Sequence, residues 1–291
     1  MMNRMKQWWN RGRRYTGGIH MPGMILLMVV LLTMKNSFMT TETERTLFYE
    51  IFKDGKAAFE QAGLIGTAVF QLTDIGNVSD WLVIFFPFIA GYSFVTVLCD
   101  DFQSGFVRLA AVRMGSRRYL RRMFRCGILA ILVIGITALL LFGIFCRVTC
   151  LSIHDLPHEE AAMLYKAIWR KTYAGTSDPT IWNYIYPLLR NNLVILFVML
   201  LEGLISFLLA AATKNKYFSL FVPCMVLYIL VKTADSLVER GFGWAEYLSP
   251  AAWLVHTPAL IVVLSLSIFI VVAAEEAFVR LLDRGVDCLA Y

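Results

Sequence analysis

The chain has 291 residues, 58% of them hydrophobic and 16% charged, with a net charge of +6 at neutral pH and a mean hydropathy of +0.64. Soluble domains are about 45–50% apolar and about 25% charged, so the composition excludes an ordinary soluble domain and a disordered chain. It predicts an all-α integral membrane protein in which residues 1–291 form a single transmembrane domain.

Six apolar segments, at 19–36, 81–99, 127–146, 191–213, 217–234 and 258–275, each approach the roughly 20 residues that a spanning helix needs. Lys35 and Lys232 lie at the ends of the first and fifth and would have to reach the headgroups. Ahead of the first, residues 1–18 combine Arg4, Lys6, Arg11, Arg13 and Arg14 with Trp8, Trp9 and Tyr15. That mixture predicts a helix in the headgroup plane, aromatics toward lipid and cations toward phosphate. Direct fusion to an apolar segment makes membrane lipid, not nucleic acid, the expected partner. No small-residue cleavage site follows Met34, so an uncleaved anchor is expected. Residues 37–80 form a first outer segment. Its stripe Leu47, Phe48, Ile51 and Phe52 predicts a small helical cap.

Between the second and third apolar segments lies DDFQSGFVRLAAVRMGSRRYLRRMFR, residues 100–125, with seven arginines and two acids. Phe102, Phe106, Leu109 and Val112 recur at near-helical spacing and predict a short amphipathic helix. Gly115-Ser116 breaks it, with Ser116 expected to cap a second helix. Past the break, Arg117, Arg118, Arg121, Arg122 and Arg125 share one face, and Tyr119, Leu120, Met123 and Phe124 the other. A loop this basic is expected on the cytoplasmic side. It reads either as a topology signal among anionic headgroups or as a docking element. A topology signal needs no internal break, which favours docking.

Residues 147–190 form a second outer segment. Pro157 suits a helix start. Glu159 and Glu160 in the first turn and Arg170 and Lys171 in the last follow the helix dipole. Cys146 and Cys150 at its start could pair if that region were extended. The fourth apolar segment contains Glu202. A carboxylate at mid-membrane costs about 2.5–3.5 kcal/mol, so it should face the bundle interior. There it is either a substrate-path residue or a hydrogen-bonded contact beside Gly203 and Ser206. Lys214-Asn215-Lys216 predicts a tight hairpin between the fourth and fifth segments. Residues 235–257, punctuated by Gly241, Gly243 and Pro250, predict a short re-entrant outer hairpin, and the tail after 275 an amphipathic helix.

Six spans put both termini on one side, and the arginine stretch makes that side the cytoplasm. The segments assigned inside (1–18, 100–126, 214–216, 275–291) then carry 16 Lys/Arg against 6 Asp/Glu, and those outside 11 against 14 when Lys35 and Lys232 at the span ends are counted with them. This bias is the one expected of a multi-pass cell-membrane protein with cytoplasmic termini.

Chemical motifs are few. Gly55-Lys56 lacks the rest of a P-loop, and neither GxSxG nor HExxH occurs. His154 and His158 are four apart, but Pro157 separates them and no third histidine follows, so a solvated loop is expected rather than a metal site. Glu275 to Arg280 spells EExxxR, which resembles a signature of the CAAX-protease family of intramembrane proteases. The companion histidine patterns are missing, and a solvated tail face is expected there.

The whole arrangement is similar to the ABC-2 type exporter permeases: six spans, an N-terminal interfacial helix, a cytoplasmic helix between spans two and three, and an outer hairpin before span six. The family's cytoplasmic stretch runs as an acid, a glycine, an apolar patch, then a small residue with arginine and a basic helix. Here that is Asp101, Gly105, Phe106 to Val112, then Ser116-Arg117 and Tyr119 to Arg122. Tyr247-Leu248-Ser249-Pro250 resembles the family's outer re-entrant segment. The two long outer segments depart from its smallest members. The resemblance implies an exporter membrane subunit with no cofactor of its own, ATP being bound by a separate cytoplasmic ATPase. It implies coupling through Asp101, Gly105, Phe106, Leu109, Val112, Arg113 and Arg117, and a pathway completed by a second permease copy or a paralogue. The competing expectations are an intramembrane protease and a non-transporting structural or sensory membrane protein.

Overall fold

The computed structural model describes residues 20–33, 38–40, 43–45, 53, 67–73, 80–107, 112–113, 115–152, 182–248 and 260–287. The helices are α1 (Met21–Thr33), α2 (Ala68–Thr73), α3 (Asp80–Gln103), α4 (Ser116–Thr149), α5 (Trp182–Thr213), α6 (Lys216–Glu239) and α7 (Leu260–Asp287), with a 3-10 turn at Gly243–Leu248. Four of them, α3 to α6, contain stretches long and apolar enough to cross a bilayer, the architecture of a helical membrane protein. At 1.5 Å per residue α4 is roughly 50 Å long, more than the ~30 Å of hydrocarbon, so its ends reach beyond the apolar layer. Helix α1 has 13 described residues within the predicted 19–36 and is itself shorter than that layer.

Helix α3 is the centre of the bundle, packed against α5, α6, α1 and α4, and α5 in turn packs on α4, α6 and α7. Small residues let the backbones approach, as is usual where lipid removes most of the hydrophobic drive between helices. A Cβ on Gly203 would lie 2.8 Å from Ala90 Cβ and from Ile131 Cδ1, and one on Gly135 would collide with Leu196. At one level Phe94 of α3, Phe124 of α4, Phe207 of α5 and Phe278 of α7 form a single aromatic cluster. Phe94 and Phe207 are 4.3 Å apart by ring centroids and Phe124 and Phe278 5.3 Å. All four rings are buried.

The predicted hairpin at 214–216 is present. Lys214 adopts φ 54, and the Asn215 side chain accepts hydrogen bonds from the backbone N–H of Tyr217 (3.0 Å) and Phe218 (3.2 Å), capping α6. The tail continues α7 to Asp287, as its pattern predicts.

Other expectations need correction. The first outer segment is not wholly helical: Phe38–Thr40 pairs antiparallel with Thr43–Arg45, Thr40 opposite Thr43. A run of β-branched threonines (Thr40, Thr41, Thr43) favours extended backbone. The stripe from Leu47 to Phe52 lies outside the described residues. Helix α4 is capped by Gly115, not Ser116, which is its first helical residue. Cys146 and Cys150 are not joined in a disulfide, because helix continues through Thr149 and leaves them one helical turn apart. The fifth segment runs on as helix to Glu239, so 235–239 are helix where the re-entrant hairpin is expected; a turn at Gly241 (φ 90) and the 3-10 turn follow, and 249–257 lie outside the described residues. Ser249, Pro250, the helix predicted after Pro157, His154, His158 and His256 lie outside the described residues.

Candidate functional site

The stretch that follows α3 is built from the helix outward. At the end of α3 the Ser104 N–H still donates to the Asp100 carbonyl (2.9 Å), and the Gly105 N–H closes a tighter turn on Phe102 (3.2 Å). Gly105 has φ 72 and Gly115 φ 81. Residues with a Cβ rarely adopt that left-handed region, so these two glycines set the breaks. Between them, 106–107 and 112–113 are helical, as the pattern predicts. Leu109 lies outside the described residues.

The base of this stretch is pinned from three sides. The Asp101 carboxylate accepts a hydrogen bond from the buried Tyr119 hydroxyl of α4 (3.2 Å). Asp100 pairs with Lys216 at the start of α6 (3.2 Å), and the Lys214 ammonium sits 5.4 Å over the Phe102 ring. The acids at 100–101 therefore fasten α3 to α4 and to the α5–α6 hairpin. The expected stripe is partly inverted: Val107 is the buried residue, Phe102 is half-buried, and Phe106 and Val112 are exposed, Val112 by 88%. Arg113 and Arg117 are exposed beside them. The result is a fixed base carrying a short apolar surface rimmed by arginine.

The second half of the arginine stretch follows its predicted faces. Tyr119, Leu120, Met123 and Phe124 are buried, while Arg117, Arg118, Arg121, Arg122 and Arg125 are exposed. Two of these arginines meet the EExxxR glutamates. Arg125 Nη2 lies 3.0 Å from Glu275 Oε1 and Arg121 Nη2 3.2 Å from Glu276 Oε2, and Arg280 also reaches Glu276 (3.2 Å). The tail face is solvated at Glu276 and Arg280 as expected, and Glu275 and Glu276 in addition bridge α7 to α4. Arg280 first, and Arg121 second, hold the Glu276 carboxyl below the usual range, which makes it a weak base rather than a poised one. Reversing one charge, Arg125→Glu, should lower stability by about 1 kcal/mol, the upper range for exposed pairs. Adding Glu275→Arg should restore the detergent melting temperature. An unrestored double variant would show that the pair contributes nothing.

Glu202 is the second candidate. It faces the bundle interior as predicted, 2% exposed, and neither carboxylate oxygen has a hydrogen-bond partner among the described residues. Glu202 thus lacks the hydrogen bond that an interhelical contact beside Ser206 would require. The Ser206 hydroxyl donates instead to the Pro87 carbonyl of α3 (3.3 Å). Proline occurs inside both helices flanking this part of α5, Pro87 in α3 and Pro223 in α6. Proline removes a helix hydrogen bond and is a usual site of bending. The hydroxyl of Ser93, also on α3, is a further buried polar atom without a partner among the described residues. The sequence reading missed Pro87, Pro223 and Ser93, although a proline inside an apolar segment is visible by eye.

No family model matches the chain, and neither a curated protein nor a solved structure matches it.

Proposed function

We propose that this protein is the membrane subunit of an ATP-driven exporter, moved by a separate cytoplasmic ATPase that docks on the stretch from Asp101 to Arg117. The observation that carries this reading is the exposure of Phe106 and Val112 above a base fixed by Asp100, Asp101, Tyr119 and Lys216. A docking element must transmit displacement, so it needs an apolar contact outside and rigid links to several helices inside. A topology signal needs neither.

In this reading the segments 19–36, 81–99, 127–146, 191–213, 217–234 and 258–275 are six spans, with both termini and the arginine end in the cytoplasm of a cell-membrane protein. The gathering of Asp100, Lys216, Arg121, Arg125, Glu275 and Glu276 at one end supports that orientation. A second copy or a paralogue completes the pathway, and Glu202 lies along it. ATP is bound by the partner chain.

The reading is tested by placing a photo-crosslinking residue at Val112 in cells. The expected product is an adduct with a P-loop ATPase, absent when the same residue is placed at the exposed Val148 at the far end of α4. Adducts with lipid alone at position 112 would favour the structural or sensory reading.

A further inference from the structure

Five arginines, Arg117, Arg118, Arg121, Arg122 and Arg125, line one open groove of about 610 Å³ beside the first turns of α4. Cys126 and Leu129 close its inner end, and no acidic side chain is among its described lining residues. Glu275 and Glu276 reach Arg125 and Arg121 from α7, so two of the five guanidinium groups are held in place. The groove also lies at the N-terminal end of a long helix, whose dipole adds positive potential. Guanidinium groups grip phosphate oxygens two at a time, which sets them apart from lysine as phosphate ligands.

The groove does not end in water. Beyond Leu129 the exposed row continues down α4 as Val133, Ile136 and Leu140. Spacings of three and four place these residues on one helical stripe. The surface is therefore cationic at one end and apolar for two to three turns at the other. A soluble anion would use only the first part.

We propose that this groove is a binding site for an anionic glycerophospholipid, its phosphate held by the arginines and one acyl chain lying along Leu129 to Leu140. The proposal requires only that the helices sit in a bilayer and does not depend on transport. It is distinct from general attraction of basic loops to the membrane surface, which is spread over every exposed cation.

The test uses the full chain purified in detergent, with phosphatidylglycerol and phosphatidylcholine as probes and retained lipid counted by native mass spectrometry. Wild type should retain phosphatidylglycerol about tenfold better than phosphatidylcholine, and Arg118→Gln/Arg122→Gln should remove that preference. Arg147→Gln/Arg240→Gln, which removes two exposed cations that do not line the groove, should leave it intact. Millimolar inorganic phosphate should not displace the lipid. Equal retention of both lipids by wild type would overturn the site. Equal losses in the two double variants would reduce it to diffuse attraction, and displacement by inorganic phosphate would make it a site for soluble anions. Should the glutamine variant fail to fold, Arg118→Lys/Arg122→Lys keeps the charge but not the paired contacts. A folded lysine variant with undiminished preference would also overturn the proposal.

Discussion

Glu202→Gln should leave the protein as stable as wild type, or more so, and, on the proposed exporter reading, change the ATP turnover of the protein reconstituted with its ATPase at least several-fold. A buried polar group without a partner costs about 1–3 kcal/mol, and both oxygens of Glu202 are in that position. A residue retained at that cost is more economically explained by function than by folding, since most buried polar groups in native proteins are satisfied. Glutamine keeps the shape and removes the ionisable proton. Glu202→Met goes further, removing the buried polar atoms, and should raise the melting temperature in detergent. Unchanged turnover in both variants, measured in sealed vesicles, would remove Glu202 from the pathway. A fall in stability would make the carboxylate structural.

Gly127→Val should destabilise the bundle by about 1–3 kcal/mol, the usual cost of overpacking a full core. A Cβ at Gly127 would stand 2.6 and 2.7 Å from two atoms of the Phe207 ring and 2.9 Å from Phe94 Cγ. Neither ring can easily give way, because the two pack at a 45° tilt with centroids 4.3 Å apart and Phe207 also packs edge-on to Phe124 at 6.2 Å. The same change at Gly143, on the same helix, meets nothing closer than Leu72 Cδ2 at 4.0 Å and should be tolerated. Melting of the two variants in one detergent gives the comparison. Equal melting temperatures would mean that the aromatic cluster relaxes around the added atoms.

Much of the helical layout was legible because it follows from two short-range signals, apolar length and charge. The apolar runs at 81–99, 127–146, 191–213 and 217–234 all fall within described helices, and the alternation of arginine with Tyr119, Leu120, Met123 and Phe124 gave the two faces of α4 correctly. The extensions of the helices beyond those runs were less visible. Residues such as Arg190 or Asp235 are polar yet helical, and hydropathy alone ends a span at them. The pairing of Glu275 and Glu276 with Arg125 and Arg121 joins residues about 150 positions apart. Spacing along the chain carries no trace of such a contact, and the same glutamates therefore invited a motif reading. Val107 shows the converse limit. It directly follows Phe106, and a turn set by the left-handed Gly105 decides which of the two is buried.

The central claim is that this membrane subunit works with a separate ATPase. Affinity purification in mild detergent, with mass spectrometry of everything that co-elutes, tests it most directly. The account predicts one P-loop ATPase in stoichiometric amount, lost from the Phe106→Asp/Leu109→Asp variant while the variant itself is recovered in normal yield. A wild-type preparation free of any ATPase, with none recovered after crosslinking in cells, would contradict it.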